Sequence, residues 1–134
     1  LEYLTFGQIL TTCRALTNPI DKQLISNNFH INRANTLDNY INTIVKIRNT
    51  AAHGDVLFDF SLPIAITNKG PLEISRADNK NLNSSLKIIY YFLSIISENR
   101  KNEMQDEINT LFEKFRHNSV LKNKVEALFN YVYK

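Results

Sequence analysis

Apolar residues recur at intervals of three and four along most of the chain, which is the period of an α-helix that buries one face. A first helix is predicted near the start of the chain by five apolar positions: Phe6, Ile9, Leu10, Cys13 and Leu16. Asn18-Pro19 interrupts this repeat, because proline lacks the amide hydrogen that a helix interior requires. A second, short helix is predicted to start near Asp21.

The third helix has the clearest pattern. Asn35 or Thr36 is suited to cap its start. Gly54 is suited to the left-handed conformation that commonly ends a helix. Between these positions, one apolar stripe is predicted from Leu37, Tyr40, Ile41, Ile44, Val45, Ala51 and Ala52.

Three further helices are predicted in the second half of the chain. Residues 81–99 form the most hydrophobic one, with one face made of Leu82, Leu86, Ile89, Leu93 and Ile96. The next is marked by Met104, Ile108, Leu111, Phe112 and Phe115, and the last by Leu121, Val125, Leu128, Phe129 and Val132. The predicted fold class is therefore all-α, a helical bundle of about five to six helices.

Residues 55–81 depart from this pattern. Their apolar residues show no helical period, and Asn68-Lys69-Gly70-Pro71 is a turn signal. Residues 64–67 and 72–75 are candidates for a short hairpin around that turn. The segment is predicted to be a long irregular connection, and connections of this length inside a compact domain are often functional.

Composition sets further limits. A length of 134 residues suits a single domain spanning residues 1–134. No stretch approaches the roughly 20 apolar residues of a membrane span, and we expect no signal peptide. The lone cysteine, Cys13, permits no intramolecular disulfide, so a cytoplasmic location is predicted. The net charge of +3 permits binding to nucleic acid without requiring it. Because the chain opens with Leu1, we expect it to be the C-terminal part of a longer protein.

The residues of greatest chemical interest end the third helix, in the run Arg48-Asn49-Thr50-Ala51-Ala52-His53. At 100° per residue, Arg48 falls near the centre of the apolar stripe, while Asn49 and His53 lie on an adjacent flank. An arginine on such a stripe is costly unless it is paired or directed at a charged group. Two interpretations remain open. Either Arg48 pairs with a carboxylate and His53 merely caps the helix, or both residues act on a charged ligand.

The second interpretation suits phosphodiester chemistry. Such a reaction needs a base, an acid and a cation over the charged phosphorus centre. Histidine exchanges protons near neutral pH, and arginine keeps its charge. Because His30, His53 and His117 show no metal-ligand spacing, we expect no metal and no other cofactor.

The run from Arg48 to His53 resembles the Arg-Asn-x-x-Ala-His signature of HEPN domains, all-helical and usually dimeric folds of which many are metal-independent ribonucleases. Leu4-Thr5-Phe6-Gly7-Gln8-Ile9 and the stretch 37–58 resemble segments of the Abi-like abortive-infection family of bacterial phage-defence proteins. This resemblance covers residues 1–60 and is weaker beyond them. It implies that Arg48 and His53 of two protomers line one cleft.

The resemblance implies a toxin-like, metal-independent endoribonuclease whose partners are RNA and a second copy of the chain. An antitoxin or other regulatory partner is compatible with it. His53 would act on the ribose 2′-hydroxyl or the leaving oxygen, and Arg48 would stabilise the phosphorane-like charge. Asn49 would orient His53 or hold the phosphate. The expected products are a cyclic phosphate and a free 5′-hydroxyl.

The alternative is a catalytically silent HEPN-type module that binds RNA, a nucleotide or a protein. Gly54 stands where the family often carries a second histidine, and Val56, Phe58 and Asp59 stand where an arginine and a Trp-Asn pair are common. In a silent module, we expect Arg48 to be buried against an aspartate or glutamate.

Overall fold

Our computed structural model describes residues 6–57 and 59–133, with residue 6 described by its backbone alone. Within these ranges the chain forms six helices and no strand. The helices are α1 (Phe6–Ala15), α2 (Pro19–Asn28), α3 (Ala34–Ala52), α4 (Leu82–Ile96), α5 (Glu98–Glu113) and α6 (Ser119–Phe129). The predicted all-α class with five to six helices is confirmed. The predictions that concern Leu4, Thr5, Phe58 and the side chain of Phe6 lie outside the described residues.

The chain divides into two compact units, Leu1–Ile88 and Ile89–Lys134, with the boundary inside α4. The sequence-based expectation of a single domain over 1–134 stays a prediction. No helix of the described residues is long and apolar enough to cross a membrane.

Helix α3 organises the first unit, because both α1 and α2 contact it. Its buried face consists of Thr36, Leu37, Tyr40, Ile41, Thr43, Val45 and Ile47. Burial of each large apolar side chain on this face contributes on the order of 2 kcal/mol. A bidentate ion pair also connects α1 to α3. In it, Nε of Arg14 lies 2.6 Å from Oδ1 of Asp38, and Nη2 lies 2.9 Å from Oδ2.

Two helices begin earlier than predicted. Helix α2 starts at Pro19 rather than near Asp21, because proline has a preset φ that suits the first helical position. Asn18 caps this helix, and its Oδ1 accepts a hydrogen bond from the backbone N–H of Ile20 at 2.9 Å. Helix α3 has Arg33 at its N-cap, so the prediction that Asn35 or Thr36 caps it was wrong.

The end of α3 follows the prediction. Gly54 has a positive φ of 72°, which glycine adopts without strain. Its N–H donates to the carbonyl of Ala51 at 3.2 Å, and the N–H of Asp55 donates to the carbonyl of Thr50 at 3.1 Å. These two bonds are the Schellman arrangement, which satisfies carbonyls left open at a helix C-terminus. His53 is the C-cap residue.

The connection between α3 and α4 is irregular, as predicted, but the candidate hairpin is not formed. The side chain of Asn39 in α3, rather than a pairing strand, forms hydrogen bonds with the backbone of this segment. Its Nδ2 donates to the carbonyl of Ala65 at 3.0 Å, and its Oδ1 accepts from the N–H of Thr67 at 2.9 Å. Among its described residues, the connection buries the apolar side chains of Leu62, Ile66 and Ile74. The connection is therefore a packed segment rather than a loose loop.

The second unit contains the rest of α4 with α5 and α6. The helix predicted for residues 81–99 ends at Ile96, because Ser97 caps α5 by accepting from the N–H of Arg100. Ile96 is 68% exposed, so the predicted apolar face is not buried at the end of this helix. Helix α6 ends at Phe129, and Asn130 follows it with a left-handed φ of 51°.

The residues after α6 form an aromatic cluster on α5. The ring of Phe112 lies 4.7 Å from that of Phe129 and 5.2 Å from that of Tyr131. The hydroxyl of Tyr131 donates to Oε1 of Glu113 at 2.9 Å, and Nε of Arg116 donates to Oε2 at 2.6 Å. These two hydrogen bonds lower the pKa of the Glu113 carboxyl, with the bond from Arg116 having the larger effect.

Candidate active site at the end of helix α3

The three predicted site residues, Arg48, Asn49 and His53, all lie in the last turns of α3 and are exposed. The predicted angular position of Arg48 on the core-facing side of α3 holds, because Tyr40, Ile41 and Val45 on that side are buried. Burial on this side does not continue to the end of the helix, since it stops at Ile47.

The alanines of the motif share this exposure. Ala51 and Ala52 continue the core-facing side of α3 by one more turn, yet both are exposed. The described part of the chain therefore leaves the last turn of α3 uncovered. Small side chains there allow another backbone to approach closely.

No acid of the described residues neutralises Arg48. Its Nη1 donates to Oδ1 of Asn49 at 3.2 Å. Within residues 6–57 and 59–133, none of the ion pairs involves Arg48. Pairing with a carboxylate, one of the two interpretations open from the sequence, is thus not what the structure shows. Burial of Arg48 against an aspartate or glutamate was the arrangement expected of a silent module, and the exposed Arg48 does not have it.

His53 caps α3 through its backbone, whose N–H donates to the carbonyl of Asn49 at 3.0 Å. His53 is exposed, and the described residues provide no hydrogen-bond partner for its imidazole. The side-chain amide of Asn49 accepts the hydrogen bond from Arg48. The expectation that Asn49 orients His53 or holds the phosphate stays a prediction.

Arg48 and His53 leave α3 at different angles, because a separation of five residues corresponds to about 140° of rotation and about 7.5 Å of rise. The hydrogen bond from Nη1 of Arg48 to Oδ1 of Asn49 directs the guanidinium towards the flank that carries Asn49 and His53. No group of three or more His, Cys, Asp or Glu that could hold a metal occurs among the residues that the structure describes.

Sequence reasoning missed Lys46, which is exposed. Lys46 precedes His53 by seven residues, or about 20° from two full helical turns, so both lie on one face of α3. Asn42 shares that face. A helical projection of the polar residues, rather than the apolar ones, would have found both.

Residues 1–59 match the model of a family described as Abi-like protein. This segment contains Arg48, Asn49 and His53 and ends within the connection after α3. No curated protein and no solved structure matches the chain. Over its first 59 residues, which carry the whole candidate site, the chain is thus similar to the Abi-like family.

Proposed function

We propose that the chain is a metal-independent endoribonuclease of the HEPN type that acts in bacterial phage defence by abortive infection. The similarity of residues 1–59 to the Abi-like family supports the role in defence. One observation carries the proposed activity. Arg48 and His53 are exposed and unpaired by any described acid, on a helix turn that nothing in the described chain covers.

The active site is proposed to form between two copies of α3. Arg48 and His53 leave one helix about 140° apart, which favours a site that takes the two groups from different chains. A two-fold axis beside the exposed turn would bring Arg48 of one protomer towards His53 of the partner subunit. Ala51 and Ala52 are small enough to let the two helix ends meet.

The chemistry follows from these groups. One His53 removes the proton of the ribose 2′-hydroxyl, and the 2′-oxygen attacks the adjacent phosphorus. The bond from phosphorus to the 5′-oxygen breaks, and that oxygen takes a proton from the other, protonated His53. Arg48 stabilises the additional negative charge on the phosphoryl oxygens during the attack. Asn49 positions Arg48 through the hydrogen bond that joins their side chains. The products are a 2′,3′-cyclic phosphate and a 5′-hydroxyl.

The test is cleavage of end-labelled single-stranded RNA in EDTA by the wild type and by His53→Ala and Arg48→Ala. Each substitution is expected to lower the rate by at least about 100-fold. Arg76→Ala and His117→Ala are the matched controls, because both side chains are exposed and lie outside the motif. Equal cleavage by wild type and His53→Ala would refute the proposal.

Arg48→Ala also separates function from structure. Because Arg48 is exposed and forms no described ion pair, its removal should change the free energy of unfolding by no more than about 0.5 kcal/mol. Thermal unfolding of the purified variants measures this change. A loss of several kcal/mol would mean that Arg48 stabilises the fold.

The two-chain site has its own test. Ala51→Gln places a longer neutral side chain on the exposed turn without disturbing a buried neighbour. It should weaken both self-association, measured by analytical ultracentrifugation, and cleavage. A wild-type protein that cleaves RNA while strictly monomeric would contradict the shared site.

A catalytically silent binding module is the second candidate, and one observation favours it. Gly54 stands where the resembling family often has a second histidine, and its φ of 72° would strain any histidine placed there. An RNA-binding protein that cleaves nothing in the presence or absence of His53 would support this candidate. The exposure of Arg48 favours the first.

A further inference from the structure

An open groove of about 590 Å³ lies where the start of α3 meets α2 and the connection. Three cationic side chains line it, those of Lys22 in α2, Arg33 at the N-cap of α3 and Lys69 in the connection. Among the residues that the structure describes, no aspartate or glutamate lines this groove. Within the described residues, none of the three cations forms an ion pair. A concave surface lined by one sign of charge attracts an anion of the other sign.

The three cations differ in how freely they can act. The ammonium of Lys22 donates to the carbonyl of Arg14 at 3.2 Å, which holds it at the groove wall. Arg33 and Lys69 are exposed, and Arg33 makes no side-chain cap bond to α3. Their charged groups are therefore available to a ligand, and their removal would break no described side-chain bond.

A polar face of α3 leads away from this groove. Asn35 lines the groove, and four further polar residues follow it at helical spacing, namely Asn42, Lys46, Asn49 and His53. All lie within about 40° of Asn35 around the helix axis, over a length of about 27 Å. Asn42 is half-buried and the others are exposed. The groove and the candidate catalytic histidine thus lie at the two ends of one polar track.

We propose that this groove binds the phosphate backbone of an RNA single strand, which then follows the polar face of α3 to His53. The inference rests on the proposed function and extends it. It names a surface that binds the substrate RNA at a distance from the phosphate that reacts. Lys22, Arg33 and Lys69 contact phosphates in the groove, and Lys46 contacts a phosphate between the groove and His53. The asparagines offer amide groups to sugars and base edges.

The lining of the groove favours RNA over an acidic protein. Apart from Pro19 and Ala34, its side chains are polar or charged. A stable protein interface has an apolar core that excludes water, whereas the apolar residues that line this groove are limited to Pro19 and Ala34 among the described residues. A nucleic-acid backbone needs cations and hydrogen-bond donors instead.

The test measures binding of a fluorescein-labelled 16-nucleotide single-stranded RNA by anisotropy over a series of salt concentrations. All proteins carry His53→Ala, so that the RNA stays intact. The groove variant is Arg33→Gln with Lys69→Gln. The matched control is Arg76→Gln with Lys80→Gln, an exposed Arg and Lys pair of the same unit outside the groove.

Loss of two phosphate contacts should reduce the slope of log K against log salt by about 1.4 and weaken binding about 25-fold at 0.1 M salt. Lys46→Gln should reduce the slope by about 0.7 and weaken binding about five-fold. The control variant should keep the parent slope. Equal weakening by groove and control variants would overturn the proposal, because it would show an effect of net charge alone. Absence of RNA binding by the parent would also overturn it.

A polyglutamate peptide tests the alternative partner. If the groove variant loses polyglutamate binding and keeps RNA binding, the groove serves an acidic protein and the proposal is wrong. Cleavage by the protein with His53 intact separates the two proposals. Cleavage that depends on His53 but not on Arg33 and Lys69, at low RNA concentration, refutes the groove alone. Groove-dependent binding without cleavage refutes the ribonuclease alone.

Discussion

Gly70 permits the connection between α3 and α4 to lie against α3, and its replacement by alanine tests that packing. An added Cβ would lie 2.3 Å from the hydroxyl oxygen of Tyr40 and 2.8 Å from both Cζ of Tyr40 and Cγ2 of Thr36. Neither neighbour can swing into solvent, because Tyr40 is 0% and Thr36 is 3% exposed. The backbone around Gly70 must therefore shift. Overpacking of this kind costs about 1–3 kcal/mol, so Gly70→Ala should lower the free energy of unfolding by that amount.

A double-mutant cycle identifies the contact responsible. Tyr40→Phe removes the atom nearest to the added Cβ, and its own effect on stability is measured as the second arm of the cycle. In combination with Gly70→Ala, it should recover about 1 kcal/mol relative to the sum of the two single effects. Urea unfolding followed by circular dichroism gives all four free energies.

Gly54→Ala is the matched control for this cycle, because nothing lies within 4 Å of a Cβ added at Gly54. Its cost comes from the backbone alone, so Tyr40→Phe should not relieve it. Two results would refute the reasoning. One is a Gly70→Ala protein within about 0.5 kcal/mol of the wild type, and the other is additivity of Gly70→Ala with Tyr40→Phe.

Three further substitutions have expected outcomes. Gly54→Ala should lower the free energy of unfolding by about 1 kcal/mol and Gly54→Asn by less, since asparagine tolerates the left-handed conformation better; thermal unfolding compares them, and equal losses would contradict the assignment. Asn39→Ala removes both amide hydrogen bonds to the connection and should cost about 2 kcal/mol in urea unfolding, with faster proteolysis of residues 61–67; an unchanged proteolysis rate would count against this anchor. The pKa of Glu113 is lowered by Arg116 and then Tyr131, so its contribution to stability is complete above the ordinary carboxyl pKa and is lost as the pH falls through the lowered one. The stability deficit of Glu113→Gln should accordingly be larger at neutral pH than at about pH 3, and a deficit independent of pH would argue against the charge.

The helical elements of the chain were largely evident from its sequence. The period of apolar residues is a local property, and each helix needs only its own residues to show it. The same holds for the end of α3, because the left-handed turn at Gly54 depends on the glycine itself. The starts of α2 and α3 were misplaced, since several neighbouring residues can serve as caps and the choice among them depends on packing.

The candidate site was also found in the sequence, as a short run of residues within one helix. Angular spacing placed Arg48 on the core-facing side of α3 and His53 on another side. Whether that side is covered is not a local property. Only the tertiary structure decided that burial ends at Ile47 and that Arg48, Ala51 and Ala52 are exposed.

The pattern of apolar and polar residues could not predict which residues far apart in the chain lie close together. The anchoring of the connection by Asn39 and the close approach of Gly70 to Tyr40 join residues far apart in the chain. The cationic groove likewise joins Lys22, Arg33 and Lys69 from three separate segments. Local sequence determines which face of a helix is polar or apolar, because side-chain direction follows from the helical repeat. Which of those faces meet, and which stay open to solvent, is decided by packing between segments, and the periodicity of one segment carries no information about the position of another.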